Sequence, residues 1–306
     1  MYSAKNTFLL LLTAFIWGTA FVAQSVGLDY IGPFTLNGLR FFIGGFVLIP
    51  IIPLLDRMKK NDPKTGSSHD RRILFAGGIC CGIALAIAST LQQFGIKYTS
   101  VGKAGFITAL YIVIVPLLGI FIGRRLRLLV GISVLLALTG LYFLCMNDTL
   151  AFGLGDTYVL LSAFFFSIHI LVIDYFSPKT DSVRMSCIQF FTAGILLAGP
   201  ILLIEKPSFS DILAAWLPLL YTGVLSSGVA YTLQIIAQRD YDPTIASLLL
   251  SLESVFSALA GWIILHQSLT PREILGCLLM FSAIILAQLP SGRQISVFTR
   301  QKHVKR

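Results

Sequence analysis

The chain contains about ten apolar segments of roughly 20 residues, and this pattern limits the folds that it can adopt. A helix of that length spans about 30 Å, which is the thickness of the hydrocarbon layer of a membrane. The segments lie approximately at residues 7–28, 33–55, 73–95, 102–122, 128–146, 155–176, 184–204, 213–237, 244–265 and 271–289. The connectors between them are too short to hold a large soluble domain. The pattern predicts an all-α integral membrane protein with ten transmembrane helices.

The composition agrees with this prediction and excludes several other classes. Only 12% of the residues are charged, against about 25% in a typical soluble domain. The net charge of +9 comes from residues in connectors and the tail, so we expect no nucleic-acid surface. The five cysteines all fall in apolar segments without the spacing of metal ligands, so we expect no metal, disulfide or cofactor.

The Lys and Arg residues are distributed unevenly between the two sides of the membrane. Eighteen of the 23 fall on the side of the N-terminus, four fall on the opposite side, and Arg40 lies inside a segment. Cytoplasmic loops of membrane proteins carry the excess of Lys and Arg. We therefore expect a multi-pass protein of the cell membrane with both termini in the cytoplasm.

The two halves of the chain share short matching segments in the same order. TAFIWG at 13–18 aligns with SAFFFS at 162–167, and RFFIGG at 40–45 aligns with QFFTAG at 189–194. Five spans per repeat is an odd number, so the second repeat enters the membrane in the opposite sense, as in many carriers. This predicts two inverted five-helix repeats, at residues 1–147 and 148–292, followed by a basic cytoplasmic tail at residues 293–306.

Three segments carry a resemblance to a known family: WGTAFV at 17–22, IGPFTLNGLRF at 31–41 and GIKYTSVGKAG at 95–105. They resemble the opening of EamA-type carriers of the drug/metabolite transporter superfamily and the junction of their third and fourth helices. Leu252 and Glu253 are similar to the Leu-Glu-Pro of the second repeat of these carriers. The resemblance implies export or exchange of small metabolites, commonly amino acids, often driven by protons.

Two positions depart from the pattern of this family. Members often carry Gly-Glu at the ends of the fourth and ninth helices, where this chain has Gly123-Arg124 and His266-Gln267. Roles of those acidic residues therefore do not transfer to this chain. Ser254 replaces the usual proline after Glu253, so we expect a less kinked ninth helix.

Arg40 and Glu253 are the two charged residues well inside apolar segments. A charge at the centre of a bilayer costs at least about 2.5–3.5 kcal/mol, so such residues normally face protein or water. One interpretation makes Glu253 a group that couples transport to protons or binds an amine, and makes Arg40 an anchor for a carboxylate. The other interpretation gives both residues structural roles, in pairs or at helix ends.

Other polar residues in the segments are spaced to share helix faces toward a central cavity. Trp17 and Gln24 lie seven residues apart, and Ser227, Tyr231 and Gln234 form a polar stripe in the eighth segment. Hydrogen bonds between helices are the alternative role for these residues. The candidates for substrate contact are Trp17, Gln24, Asn37, Arg40, Gln93, Tyr111, Ser227, Tyr231, Gln234 and Glu253. His169 is a second candidate for proton coupling, or else a neutral, hydrogen-bonded core residue.

The predicted function is secondary active transport, by alternating access, of a small neutral or zwitterionic metabolite such as an amino acid, with the proton as coupling ion. A sugar-phosphate or nucleotide-sugar exchanger of the same superfamily is the alternative. An intramembrane enzyme would need paired catalytic groups, and none of the known motifs is present. A membrane sensor would need a larger soluble segment. The expected partners are the small-molecule substrate and the lipid bilayer.

Overall fold

A computed structural model describes residues 3–59, 71–99, 101–124, 128–145, 153–264 and 270–289. Helices account for most of these residues, and the described residues contain no β-strand. The helices are α1 Ala4–Gly27, α2 Pro33–Lys59, α3 Arg71–Tyr98, α4 Val101–Ala109, α5 Tyr111–Phe121, α6 Leu128–Cys145, α7 Leu154–Phe176, α8 Ser182–Pro200, α9 Phe209–Ala214, α10 Trp216–Leu220, α11 Thr232–Gln238, α12 Pro243–Leu250, α13 Glu253–Ile264 and α14 Pro271–Gln288. Ile201–Glu205 and Tyr221–Tyr231 are π-helices, and Ser177–Lys179 is a 3-10 turn.

Eight stretches of helix are long and apolar enough to cross a membrane. They are Ala4–Gly27, Pro33–Arg57, Arg71–Tyr98, Val101–Phe121, Leu154–Lys179, Ser182–Glu205, Trp216–Gln238 and Pro243–Ile264. Two shorter apolar helices, Leu128–Phe143 and Ile274–Ala287, fall at the other two predicted segments. The prediction of an all-helical, multi-pass membrane protein is thus confirmed for the described residues, while the count of ten spans stays a prediction.

The helices pack in pairs around a central core. The most extensive contacts join α3 with α7, α6 with α14, and α2 with α8. Helix α1 packs against α13 and the π-helix Tyr221–Tyr231. Gly18 allows the contact of α1 with α13, because a Cβ atom there would lie 2.6 Å from the carbonyl oxygen of Glu253. Large apolar side chains such as Leu203 and Ile285 point outward and are exposed, as expected for a surface that lipid covers.

Charged residues near the end of the bundle opposite the N-terminus are held by several donors. Asp156, which is buried in the first turn of α7, accepts hydrogen bonds from Lys103 Nζ at 2.6 Å, Thr99 Oγ1 at 2.8 Å and the Gly153 amide at 2.7 Å. Glu205 accepts from the backbone amides of Phe34 and Thr35, at 2.8 and 2.6 Å. These amides begin α2, so the Glu205 carboxylate stabilises its N-terminus from the neighbouring chain segment.

The end of the bundle that contains the N-terminus is closed by other pairs. Arg124 after α5 forms an ion pair with Asp174 near the end of α7. Arg184 at the start of α8 forms an ion pair with Asp56 of α2 at 2.6 Å. Each pair joins helices from different halves of the chain.

Some predictions fall outside the described residues. They include the basic tail at residues 293–306, the boundary between residues 147 and 148, and the pair His266-Gln267. The division into residues 1–147 and 148–292, and the inversion of the second repeat, stay predictions.

Candidate functional site

Two spans are interrupted near the centre of the bundle. α4 ends at Ala109 and α5 begins at Tyr111, whereas α12 ends at Leu250 and α13 begins at Glu253. At both interruptions a backbone amide bonds to the carbonyl three residues earlier, as in a 3-10 turn, rather than four. These hydrogen bonds run from Leu110 N to Ile107 O at 3.2 Å and from Leu252 N to Leu249 O at 3.3 Å. Interrupted helices at this depth are typical of transporter sites, because the ends of the half-helices face the interior.

The second interruption occurs although Ser254 replaces the proline of related carriers. Three serines of this span bond back to the carbonyl three residues earlier: Ser247 to Thr244 at 2.8 Å, Ser251 to Leu248 at 2.8 Å and Ser254 to Ser251 at 2.7 Å. Such hydroxyl groups compete with the backbone amides for these carbonyls and can bend a helix. The serines therefore provide a local reason for the interruption at a position without proline.

A small cavity of about 30 Å³, lined mostly by buried residues, lies beside both interruptions. Its lining combines charged, amide and hydroxyl groups with aromatic and aliphatic side chains. The lining residues are Trp17, Phe21, Gln24, Arg40, Gln92, Thr108, Tyr111, Phe166, His169, Ile170, Ser226, Tyr231, Gln234, Leu250 and Glu253. A volume of this size holds roughly two water molecules, so a metabolite requires a more open conformation. We call this space the central cavity.

Arg40 lies on one side of the central cavity. It is 2% exposed, and its Nη1 donates a hydrogen bond to Oε1 of Gln24 at 3.0 Å. Its Nε has no hydrogen-bond partner among the described residues, and no carboxylate there lies within ion-pair distance. The guanidinium carbon lies 5.0 Å from the ring centroid of Phe41. Arg40 therefore brings a largely uncompensated positive charge to the cavity.

Glu253 brings a carboxyl group to the cavity from the start of α13. The carboxyl group is 4% exposed and close enough to the Tyr111 hydroxyl to interact with it. Neither Oε1 of Glu253 nor the hydroxyl of Tyr111 forms a well-directed hydrogen bond within the described residues. Nearby, the Gln92 amide donates to Thr108 Oγ1 at 3.1 Å. A buried charge without such partners is costly, which favours a role in binding a ligand or a proton.

Aromatic side chains line the cavity near Arg40 and Glu253. Tyr231 is within electrostatic range of both Arg40 and Glu253, and its ring centroid lies 4.6 Å from that of Trp17. The indole Nε1 of Trp17 donates to the carbonyl of Ser226 at 3.1 Å. His169 packs edge to face on Tyr231 at 5.8 Å and is hydrogen-bonded to Gln189 at 3.1 Å. His169 thus lines the cavity and also fits the structural interpretation of a hydrogen-bonded core histidine.

The π-helix Tyr221–Tyr231 changes which residues of the polar stripe reach the central cavity. A π-helix bonds residue i to i+5, so Ser226 and Tyr231 lie one turn apart on one face. Ser226 lines the cavity, whereas Ser227, which α-helical spacing predicts, does not. Ser227 is buried and lies against Gly44 of α2. Gln234 lines the cavity and donates to Gln238 at 3.3 Å.

The structure brings eight of the eleven predicted residues to the central cavity. They are Trp17, Gln24, Arg40, Tyr111, His169, Tyr231, Gln234 and Glu253. Asn37, Gln93 and Ser227 are buried but do not line it. The Asn37 amide donates to Ser89 O at 3.0 Å, and the Gln93 amide donates to Gln24 O at 3.2 Å, so both stabilise helix contacts. Sequence reasoning missed the polar lining residues Gln92, Thr108 and Ser226 and the apolar ones Phe21, Phe166, Ile170 and Leu250. In place of Gln92, it selected the neighbouring Gln93, one position further along the helix.

The described residues contain no group of three or more His, Cys, Asp or Glu that could hold a metal ion. Cys80, Cys81, Cys187 and Cys277 form no disulfide bond among the described residues. The central cavity thus presents a guanidinium group and a carboxyl group, with aromatic and aliphatic walls beside them.

Comparisons with known proteins agree with this reading. The sequence profile of the EamA-like transporter family matches residues 5–146 and 153–289. The chain is 31% identical to an uncharacterized transporter of Archaeoglobus fulgidus (strain ATCC 49558 / DSM 4304 / JCM 9628 / NBRC 100126 / VC-16), over 92% of this chain and 84% of that protein. It is 25% identical to the uncharacterized transporter YoaV of Bacillus subtilis (strain 168), over 91% and 95% of the two chains.

A solved crystal structure supports the fold alone. It is 21% identical in sequence, has a TM-score of 0.73 and covers 94% of this chain and 97% of that chain. The resemblance to EamA-type carriers that the sequence motifs indicate is confirmed by the family profile. The chain belongs to the EamA-like transporter family of the drug/metabolite transporter superfamily and is an integral membrane transporter.

Proposed function

We propose that this transporter exports or exchanges a small zwitterionic metabolite, such as an amino acid, in steps coupled to protons. The observation that carries the proposal is that Arg40 and Glu253, a cation and an acid with unsatisfied polar atoms, line one small buried cavity beside two interrupted helices. A zwitterion satisfies both charges at once. Its carboxylate pairs with the guanidinium group of Arg40, and its ammonium group pairs with Glu253.

The uncharged lining suits the remainder of such a solute. Trp17, Tyr231 and Phe166 provide apolar surface beside the charged groups, and Gln24, Gln92 and Gln234 provide amide donors and acceptors. Because the central cavity has room for roughly two water molecules, binding and release take place in conformations that open to one side of the membrane. This is the requirement of alternating access.

Glu253 is the proposed coupling group. When no solute is bound, a buried carboxylate without a cation is unfavourable, so binding of a proton and binding of an ammonium group exclude each other at this residue. Exchange of one for the other then links solute movement to proton movement. Tyr111 next to Glu253 offers a hydroxyl group that stabilises either state of the carboxyl group.

Phosphorylated solutes fit the central cavity less well. A dianionic sugar phosphate needs several cations nearby, and Arg40 is the only Lys or Arg that lines the described cavity. Glu253 would repel such a solute from the same space. Transport without catalysis or cofactor agrees with relatives that are named as transporters.

We further propose the inverted arrangement of residues 1–147 and 148–292, with both termini in the cytoplasm and the protein in the cell membrane. The packing of the helices supports a two-fold relation between the halves, because contacts recur with the halves exchanged. α1 packs against α13, and α7 packs against α4 and α5; likewise α3 packs against α7, and α1 against the π-helix and α11. The excess of Lys and Arg on the side of the N-terminus supports the orientation.

Transport into proteoliposomes tests this proposal. The purified protein is reconstituted, and uptake of a mixture of labelled amino acids is measured by counterflow and under an imposed pH gradient. We expect both activities in the native protein, whereas Glu253→Gln loses accumulation under the gradient. Asp56→Asn makes the same chemical change at a half-exposed residue far from the cavity and serves as the matched control.

Two outcomes would overturn parts of the proposal. Absence of counterflow with every labelled amino acid, from a folded protein, would exclude this class of solute. Accumulation by Glu253→Gln that equals the native protein under the gradient would exclude the coupling role.

A further inference from the structure

A second cavity, of about 40 Å³, lies between α5 and α12 on the side of the N-terminus. Val115, Pro116 and Gly119 line it from α5, and Thr244 and Ile245 line it from α12. Arg124 and Asp242, which are both exposed, lie at its mouth. We call this space the lower cavity.

A thin, mostly apolar barrier separates the lower cavity from the central cavity. Tyr111 borders the central cavity and Val115 borders the lower cavity, so about 6 Å of α5 lies between them at 1.5 Å per residue. On α12, Leu250 and Ile245 border the two cavities in the same way, about 7.5 Å apart. Ile112, Leu248 and Leu249, all fully buried, occupy this interval. The two cavities thus lie along one seam, one helical turn apart.

Both helices of this seam are half-helices with an interruption at the central cavity. α5 begins directly after the interruption at Leu110, and α12 ends directly before the interruption at Ser251 and Leu252. A rigid segment next to such an interruption moves by changing a few backbone angles. α5 and α12 can therefore separate while α4 and α13 stay in place.

The ion pair of Arg124 with Asp174 connects the end of α5 to α7, beside the seam. Arg124 is fixed to the end of α5, because its amide donates to Gly119 O at 2.9 Å after Gly123 with a φ angle of +82°. Asp174 belongs to α7, which also contacts α12. The pair thus joins the free end of α5 to α7, beside the mouth of the lower cavity.

We infer that the seam between α5 and α12 is the passage from the central cavity to the N-terminal side, and that Arg124 with Asp174 holds it closed. The inference rests on the proposed function, because a passage serves a protein that moves a solute. Opening moves α5 away from α12, exposes Ile112 and Leu248, and joins the two cavities.

Thiol labelling tests the passage without any solute. Cys80, Cys81, Cys145, Cys187 and Cys277 are replaced by alanine, and Ile112→Cys places a single thiol in the barrier. A membrane-impermeant, charged methanethiosulfonate reagent is added from the N-terminal side, and the labelling rate is measured. Slow labelling is expected in this background.

Breaking the ion pair is expected to raise the labelling rate. Arg124→Gln and Asp174→Asn should each accelerate labelling by about two- to fivefold, the range set by partly exposed ion pairs. Arg124→Asp combined with Asp174→Arg should return the rate toward the original value. Arg184→Gln breaks another ion pair at the same end of the bundle and should leave the rate unchanged.

The outcomes separate this inference from the proposed function. Equal rates in the single variants, or equal acceleration by Arg184→Gln, would overturn the assignment of the passage. Should a single variant fail to yield folded protein, the double variant decides: a native rate supports the ion pair as the closure, and a faster rate overturns it. Because labelling needs no solute, failure of amino-acid transport with accelerated labelling would reject the proposed solute and keep the passage.

Discussion

The charged residues of the central cavity and those near the ends of the bundle differ in their partners. Asp156 accepts three hydrogen bonds and Glu205 holds the start of α2, whereas Arg40 keeps its Nε and Glu253 its Oε1 without a partner among the described residues. Satisfied charges stabilise one arrangement of helices. Unsatisfied charges in a buried cavity raise its free energy and lower that of a complex with a complementary solute. The difference therefore separates residues that hold the bundle from residues that bind.

The largest effect is expected on amino-acid transport when Arg40, an unsatisfied charge of the central cavity, is replaced in the variant Arg40→Met. Methionine has a similar length and no charge, so the variant loses the anchor for a carboxylate and also the cost of a buried charge. Amino-acid counterflow should fall by at least about thirtyfold, as for a desolvated, hydrogen-bonded charge pair. The thermal midpoint should stay the same or rise, since a charge at this depth costs about 2.5–3.5 kcal/mol.

Arg40→Lys is the matched control for this variant. It keeps the positive charge but loses the planar donor geometry of the guanidinium group, so intermediate counterflow is expected. A structural role predicts the opposite pattern, in which Arg40→Met lowers the thermal midpoint by several degrees and the folded fraction still transports.

The second-largest effect is expected on the free energy of unfolding in the variant Asp156→Ala, whose position lies near the end of the bundle opposite the N-terminus. The variant leaves the Gly153 amide and the Thr99 hydroxyl without this acceptor, and it removes the ion pair with Lys103, which is 26% exposed. The free energy of unfolding should fall by about 2 kcal/mol, which lowers the thermal midpoint by roughly 4–8 °C. Counterflow per folded molecule should change little. A native midpoint together with lost transport would place Asp156 in the solute path instead.

How far the sequence anticipates these roles depends on whether the cause is local. Apolar segment length predicts the helices, because the bilayer fixes the length of a span. The cost of charge in lipid identifies Arg40 and Glu253. Ser226 was missed because the π-helix Tyr221–Tyr231 shifts the register by one residue per turn. No helical periodicity in the sequence reports that shift.

The pairs near the ends of the bundle were also beyond prediction from sequence. Glu205 meets Phe34 and Thr35, which precede it by about 170 residues, so only the tertiary fold brings them together. Arg124 departs from the family pattern, but only the packing of α5 on α7 identifies Asp174 as its partner. Long-range partners of this kind leave no periodic signal in a single sequence.

The smallest effect is expected at the pair of Arg184 and Asp56, whose side chains are 46% and 43% exposed. Water and salt screen such a pair, and ordering two long side chains opposes its formation. Arg184→Ala should change the free energy of unfolding by less than about 0.5 kcal/mol, measured by thermal unfolding in detergent at low and high salt. A loss as large as that of Asp156→Ala would mean that exposure does not distinguish the ion pairs that hold this bundle. In that case, the helices that an ion pair joins would determine its contribution to stability. Arg184 and Asp56 connect α8 with α2, which pack extensively against each other.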